Sequence, residues 1–145
     1  MTSESQDIPP LQPPHLMPPL TDQSSLDRTW RALMGELGFG SPQLWLLLVD
    51  GDRPRQVVRV DDVPLAPNPE DLAGVATLVD DVVGGPRSCA FLYARPGGPT
   101  RTDGDLAWAR GLGGIGLGSD RTWPVHLAND VELRVAAPDD LAAAG

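Results

Sequence analysis

The segment from Ser88 to Asp105, SCAFLYARPGGPTRTDGD, narrows the possible folds more than any other part of this chain. Cys89–Tyr93 is a short apolar run, the pattern of a strand that is buried and central in its sheet. Pro96-Gly97-Gly98 then breaks regular structure. Thr102 and Asp105 stand at the spacing that caps a helix N-terminus. The hydroxyl can accept the amide three residues on, while the acid reaches back. Buried strand, turn and capped helix in that order indicate an α/β domain. Such junctions are also where these domains tend to place chemistry.

The rest of the chain extends this reading. Leu26, Trp30, Leu33, Met34 and Leu37 fall at helical spacing, with Ser24 or Ser25 as cap and Gly38 as stop. Leu44–Val49 is a second apolar strand. Gly51-Asp52-Arg53-Pro54 turns into a returning strand in which Val58 and Val60 alternate with polar residues. Asn68-Pro69-Glu70-Asp71 opens a helix with a cap, a proline in the first turn and acids facing the helix dipole. Leu72, Val75, Ala76, Val79 and Val83 form its apolar face, and Gly84-Gly85 ends it. Leu106, Trp108, Ala109 and Leu112 supply the next helix, followed by a glycine-rich link. Thr122–Leu127 contains Pro124 and so favours a sheet edge. Asn129-Asp130 turns into the alternating strand Val131–Val135. The expected architecture is one α/β domain over residues 23–145, a mixed sheet in the order α-β-β-α-β-α-β-β with helices packed against it.

Residues 1–22 carry Pro9, Pro10, Pro13, Pro14, Pro18 and Pro19, which favour extended polyproline-like backbone and predict a disordered tail. A solubilising leader is the favoured role. Docking in a partner's groove is the alternative, weakened because no Arg or Lys flanks the Pro-x-x-Pro pattern.

Composition excludes several classes. A net charge of -9 argues against a nucleic-acid partner, which needs clustered positive charge. No apolar run approaches the ~20 residues of a membrane span. The N-terminus MTSESQDIPP lacks the basic and apolar regions of a secretory signal, so a cytoplasmic location is expected. The lone cysteine, Cys89, rules out an internal disulfide and a multi-cysteine zinc site. All 11 basic residues are arginine, which fits codon usage in a GC-rich genome better than selection for bidentate anion contacts.

Several constellations compete for a chemical role. Gly111-x-Gly113-x-x-Gly116 copies a dinucleotide fingerprint on paper. It follows a helix and precedes a strand, the reverse of the working order, so it reads as a flexible loop. Cys89, His126 and Asp130 offer a thiol nucleophile, base and orienter. Yet a cysteine inside an apolar strand usually acts as a small hydrophobe, and a lone strand histidine is more often structural. Asp61-Asp62, Asp80-Asp81 and Asp139-Asp140 are adjacent in sequence, so their side chains diverge and read as solvated charge. Trp30, Trp45, Trp108 and Trp123 either mark an interface or fill the core.

The junction itself, together with the element order, resembles the RadC-type branch of the JAB/MPN (JAMM) metalloprotease-like superfamily over roughly residues 25–140. In that family the third strand ends in His-x-His-Pro, a Ser-Gly turn follows, and Ser-x-x-Asp opens the next helix. The two histidines and the aspartate bind zinc, and an upstream glutamate activates the bound water. Here Tyr93 and Arg95 stand where the histidines would be. Pro96, the glycine turn, Thr102 and Asp105 keep the frame with one residue fewer, and the first hairpin holds no glutamate. The resemblance therefore implies the fold without its metal: arginine stays protonated and cannot ligate zinc.

The expected function is a non-catalytic interaction or scaffold module, with no cofactor and no metal, binding a protein partner through the pseudo-active cleft, the tail or both. Two alternatives stand beside it. One is a hydrolase with a Cys89/His126 centre or an unrecognised metal site. The other is an anion-binding module in which Arg95 and Arg101 flank the amides of Gly97, Gly98 and the helix start at Thr102. Against that site stands a plain ion pair, Arg95–Asp105 or Arg101–Asp103, with an ordinary helix cap, and the pair is favoured.

Overall fold

The computed structural model describes residues 19–83, 88–116 and 123–136. They form α1 (Gln23–Met34), β1 (Gln43–Asp50), β2 (Arg53–Asp61), α2 (Pro69–Val83), β3 (Ser88–Ala94), α3 (Asp103–Gly116), β4 (His126–Ala128) and β5 (Leu133–Val135), the order expected. The five strands make one sheet in the order β2-β1-β3-β4-β5. Every pairing is antiparallel except β3–β4, which is parallel and bridged by α3.

β1 and β3 are the innermost apolar strands, and their side chains divide the core in two. Trp45, Leu47, Val49, Ala90, Leu92 and Ala94 face one way and pack against Leu26, Trp30 and Leu33 of α1. Leu44, Leu46, Leu48, Cys89, Phe91 and Tyr93 face the other way, against Val79 of α2 and Trp108, Ala109 and Leu112 of α3. The result is a helix–sheet–helix sandwich. Burial on both faces explains why neither strand shows polar alternation. All four tryptophans lie in this core, so none marks an interface.

Several local expectations are corrected. The cap of α1 is Asp22, whose carboxylate accepts the Ser25 amide at 2.8 Å, while Ser25 Oγ accepts the Asp22 amide at 3.0 Å. The helix ends not at Gly38 but at Gly35, whose φ of 63° suits glycine. Leu37 leaves the helix yet still packs on the core. The strand around Pro124 is not an edge: β4 starts at His126 and lies between β3 and β5, so the proline's missing N–H falls before the ladder. The last strand is shorter than Val131–Val135, because Asn129 Oδ1 accepts the amides of Val131 and Glu132 and draws them into the turn. Gly111, Gly113 and Gly116 belong to α3 rather than to a loop. At Gly111 a Cβ would lie 2.5 Å from Leu72 Cδ2, so glycine lets α3 approach α2.

The folded unit also begins earlier than residue 23. Leu20 is fully buried in the α1-side core, and its amide donates to the Asp52 carbonyl at 2.7 Å. Residues 1–18 of the proline-rich stretch lie outside the described residues, as do Gly84-Gly85 and Asp139-Asp140. Leu20→Ala is expected to lower the unfolding free energy by about 2–5 kcal/mol, the usual cost of such a cavity. A denaturant titration showing a change below about 0.5 kcal/mol, as for a surface site, would return Leu20 to the tail.

Candidate functional site

At the C-terminal end of β3 the chain is held by one side chain. Arg95 continues the strand, and its amide donates to the Ala128 carbonyl at 3.1 Å, tying β3 to β4. Arg95 is only 6% exposed, and its guanidinium pairs bidentately with Asp105 at the start of α3, Nε to Oδ1 at 2.7 Å and Nη2 to Oδ2 at 2.9 Å. Nη2 also donates to the Thr100 carbonyl at 2.8 Å, and Nη1 to that of Pro96 at 3.0 Å. Asp105 closes the expected capping box: its Oδ2 accepts the Thr102 amide, and Thr102 Oγ1 accepts the Asp105 amide, each at 3.0 Å. Gly97 is required twice over, because its φ is 111° and a Cβ would lie 2.9 Å from Arg95 Nη1.

A second carboxylate clamps the same end of the sheet. Asp130 accepts the Gly97 amide at 2.8 Å and the Phe39 amide at 2.9 Å, and its own amide donates to the Gly97 carbonyl at 3.0 Å. Those two amides hold its carboxyl below the usual range. The segment between β2 and α2 is strapped across α3: Tyr93 OH donates to the Leu65 carbonyl at 3.2 Å and Trp108 Nε1 to that of Pro64 at 2.9 Å. Tyr93 and Trp108 stack with centroids 5.4 Å apart. Gly104 is needed here, since a Cβ would collide with the Leu65 carbonyl.

These contacts decide among the predicted roles. Arg95, Thr102 and Asp105 come together, as the ion-pair reading expected. The anion site is not formed by them: Arg95 is buried against Asp105, the Gly97 amide is held by Asp130, and the Thr102 amide by Asp105. Gly98 is exposed and Arg101 half-buried beside this turn. Burial raises the Asp105 pKa, but hydrogen bonds from Arg95 and Thr102 and the Arg95 charge outweigh it and leave the carboxyl below its ordinary value. Burial, then the Asp105 charge, pushes Tyr93 up to about 12.

Tyr93, Arg95 and Asp105 are the residues that the resemblance sets against zinc ligands. They do not fit the metal, because one is a cation and the only carboxylate is bonded to it. Among the described residues, no group of three or more His, Cys, Asp or Glu stands where it would hold a metal ion.

The Cys89/His126/Asp130 centre is not assembled. Cys89 faces α2 and α3, and burial pushes its thiol up to about 12. His126 pairs with Leu92, whose side chain faces α1, so thiol and imidazole lie on opposite sides of the sheet. Asp130 is engaged at the Gly97 turn. His126 is fully buried, and its Nε2 lies 3.6 Å from Asp27 Oδ2 of α1, beyond hydrogen-bond reach. The Asp27 carboxylate is held instead by Arg31 at 2.6 Å, and Arg31 donates on to the Leu133 carbonyl. Asp61, Asp62 and Asp80 are exposed, as solvated charge should be.

Sequence reasoning missed the Asp130 clamp and the strap over α3. Asn129-Asp130 reads locally as a turn, and nothing in the spacing links Asp130 to Gly97 and Phe39. Comparison with family models, with curated proteins and with solved structures returns no match to this chain.

Two outcomes are expected from this geometry. Arg95→Ala or Asp105→Ala should each cost about 3–5 kcal/mol, since each strands a buried partner. The double variant should cost clearly less than the sum. Additive losses in denaturant titrations would mean that the pair is not formed. For His126, burial first of all holds the imidazole below its ordinary value, against the pull of Asp27. The unfolded chain then binds a proton near pH 6.5 that the folded chain does not. Stability is full above that pH and is lost as pH falls toward the depressed folded value. His126→Leu should flatten this loss between about pH 7.5 and pH 5.5, and an unchanged slope would show that His126 does not cause it.

Proposed function

We propose that this protein is a soluble, cytoplasmic, non-catalytic interaction module that binds a protein partner at the end of the sheet where β3 meets α3. One observation carries this reading. The buried charges of the junction, Arg95 and Asp105, are consumed by one another, while the large apolar side chains left exposed among the described residues, Leu65 at 59% and Val131 at 62%, both stand at this end. Leu65 lies on the strap over α3, and Val131 follows the Asp130 clamp. A rigid surface offering apolar contacts beside a satisfied polar frame is suited to binding rather than to bond making.

The resemblance to a metalloprotease-like domain that has lost its ligands supports the same reading, because Arg95 takes the place of a ligand and neutralises the remaining acid. The hydrolase alternative is disfavoured by the separation of Cys89 and His126 across the sheet. The proline-rich stretch is kept as a second binding element.

Three baits test this by affinity capture from the native lysate: the full chain, a chain starting at Pro19 so that Leu20 stays in the core, and the full chain carrying Leu65→Asp and Val131→Asp. Recovery of a protein by the first two and its loss from the third is the expected pattern. Loss only from the shortened chain would move the site to the tail, and equal recovery by all three would overturn it. Elemental analysis of the purified protein should find no stoichiometric zinc, and its presence would refute the non-metal reading.

A further inference from the structure

The two edges of the sheet are finished differently. At β5 the strand is three residues long, and Arg31 of α1 donates to the Leu133 carbonyl at 2.8 Å, so the edge is short and partly covered. At β2 the edge strand is nine residues long, and among the described residues only β1 pairs with it. Its start is irregular: the register shifts at Val49, where Pro54 pairs, and this leaves Arg55 outside the ladder. From Gln56 to Asp61 it is regular and free of proline. Val57, Val58 and Val60 there are only half-buried, although each packs on the core.

Charge along β2 is polarised. Arg53 and Arg55 lie at its start, with side chains 66% and 55% exposed, and Asp61 and Asp62 at its end are exposed too. The local partners of the arginines are loose, Arg53 with Asp52 at 3.9 Å and Arg55 with Asp50 at 3.7 Å, whereas Arg59 holds Asp61 at 3.1 Å. Exposed pairs of this kind contribute little and exchange readily. The strand also carries three of the chain's 11 arginines, a local positive charge in a protein of net charge -9.

We propose that β2 is the contact through which two copies of this chain associate, antiparallel about a twofold axis centred at Val58. Gln56 then faces Val60 of the copy, Val57 faces Arg59, and Val58 faces itself. Side chains of one parity stay on one face, as strand pairing requires. The arginine-bearing start of each strand lies beside the Asp61-Asp62 end of the other. A parallel arrangement would set like charge on like, so the charge pattern selects the antiparallel one. The seam is short, at the small end of specific interfaces, and the dimer is expected to dissociate in the micromolar range.

Sedimentation velocity on the full chain tests this. Wild type should pass from monomer to dimer as concentration rises to about 100 µM. Asp61→Arg makes the edge predominantly basic, with Asp62 its one remaining acid, and Arg53→Glu with Arg55→Glu makes it acidic. Each variant should stay monomeric alone, and an equimolar mixture should recover the dimer. That recovery separates a charge effect from misfolding. A wild type that stays monomeric overturns the proposal. So does a dimer indifferent to Asp61→Arg, or a mixture that does not associate. A chain starting at Pro19 that dimerises while the full chain does not would assign the edge to the protein's own N-terminal residues, also against the proposal.

Discussion

The upper end of this fold depends on the buried ion pair between Arg95 and Asp105. Its backbone amide joins β3 to β4, its guanidinium holds the first turn of α3, and its remaining donors fix the carbonyls of Pro96 and Thr100. A buried pair of this sort is not a cheap source of stability, because both ions lose water and a well-packed apolar pair can do as well. What it supplies here is position. The crossover from β3 through α3 to β4 allows few placements of the helix start, and two parallel N–H···O bonds to one carboxylate fix both its distance and its direction. The same carboxylate caps the helix, so strand end and helix start are set by one group.

That economy explains which parts of the protein were legible in the sequence. The capping box at Thr102–Asp105 and the Asn68 cap are local and appear as expected, while Asp71, expected only to face the helix dipole, also accepts the Asn68 amide. The apolar runs of β1 and β3 declare their burial because strands covered on both faces need no polar residue. The pairing of Arg95 with Asp105 was also readable, being only ten residues apart across a turn. Leu20 was not, because the six prolines before it carry the compositional sign of a tail while a single leucine decides where the core begins. The strand after Pro124 misled for a related reason: proline bars a ladder only where it sits, and β4 starts two residues later. Asp130 shows the limit most clearly. Its partners lie 33 and 91 residues away, and only the closed sheet brings them together.

The sheet also separates groups that composition alone would bring together. Cys89 and His126 are a plausible pair on paper, yet parity along β3 and β4 sends them to opposite layers. Each is then governed by burial instead of by the other. Desolvation disfavours the charged form in both cases, so the thiol is pushed up and the imidazole down. The two groups lie on opposite faces of the sheet, so neither stands where it could exchange a proton with the other. A perturbed group signals a site only when geometry supplies a second group for it to act with.

The same criterion bears on the junction as a whole. A metal centre needs lone pairs converging on one point with a position left open. An anion site needs donors converging on one point with their charge unspent. At the end of β3 the donors of Arg95 and the acceptors of Asp105 converge on each other, and the amides of Gly97 and Thr102 are closed by aspartates. These groups are satisfied by one another, and their mutual hydrogen bonds hold the turn in one arrangement. Stiffness is what an apolar contact surface needs, because association then costs little ordering of the groups that make it. On the proposed reading, the mutual pairing of Arg95 and Asp105 and the exposure of Leu65 and Val131 fit together: the polar interior would set the shape, and the apolar rim would make the contact.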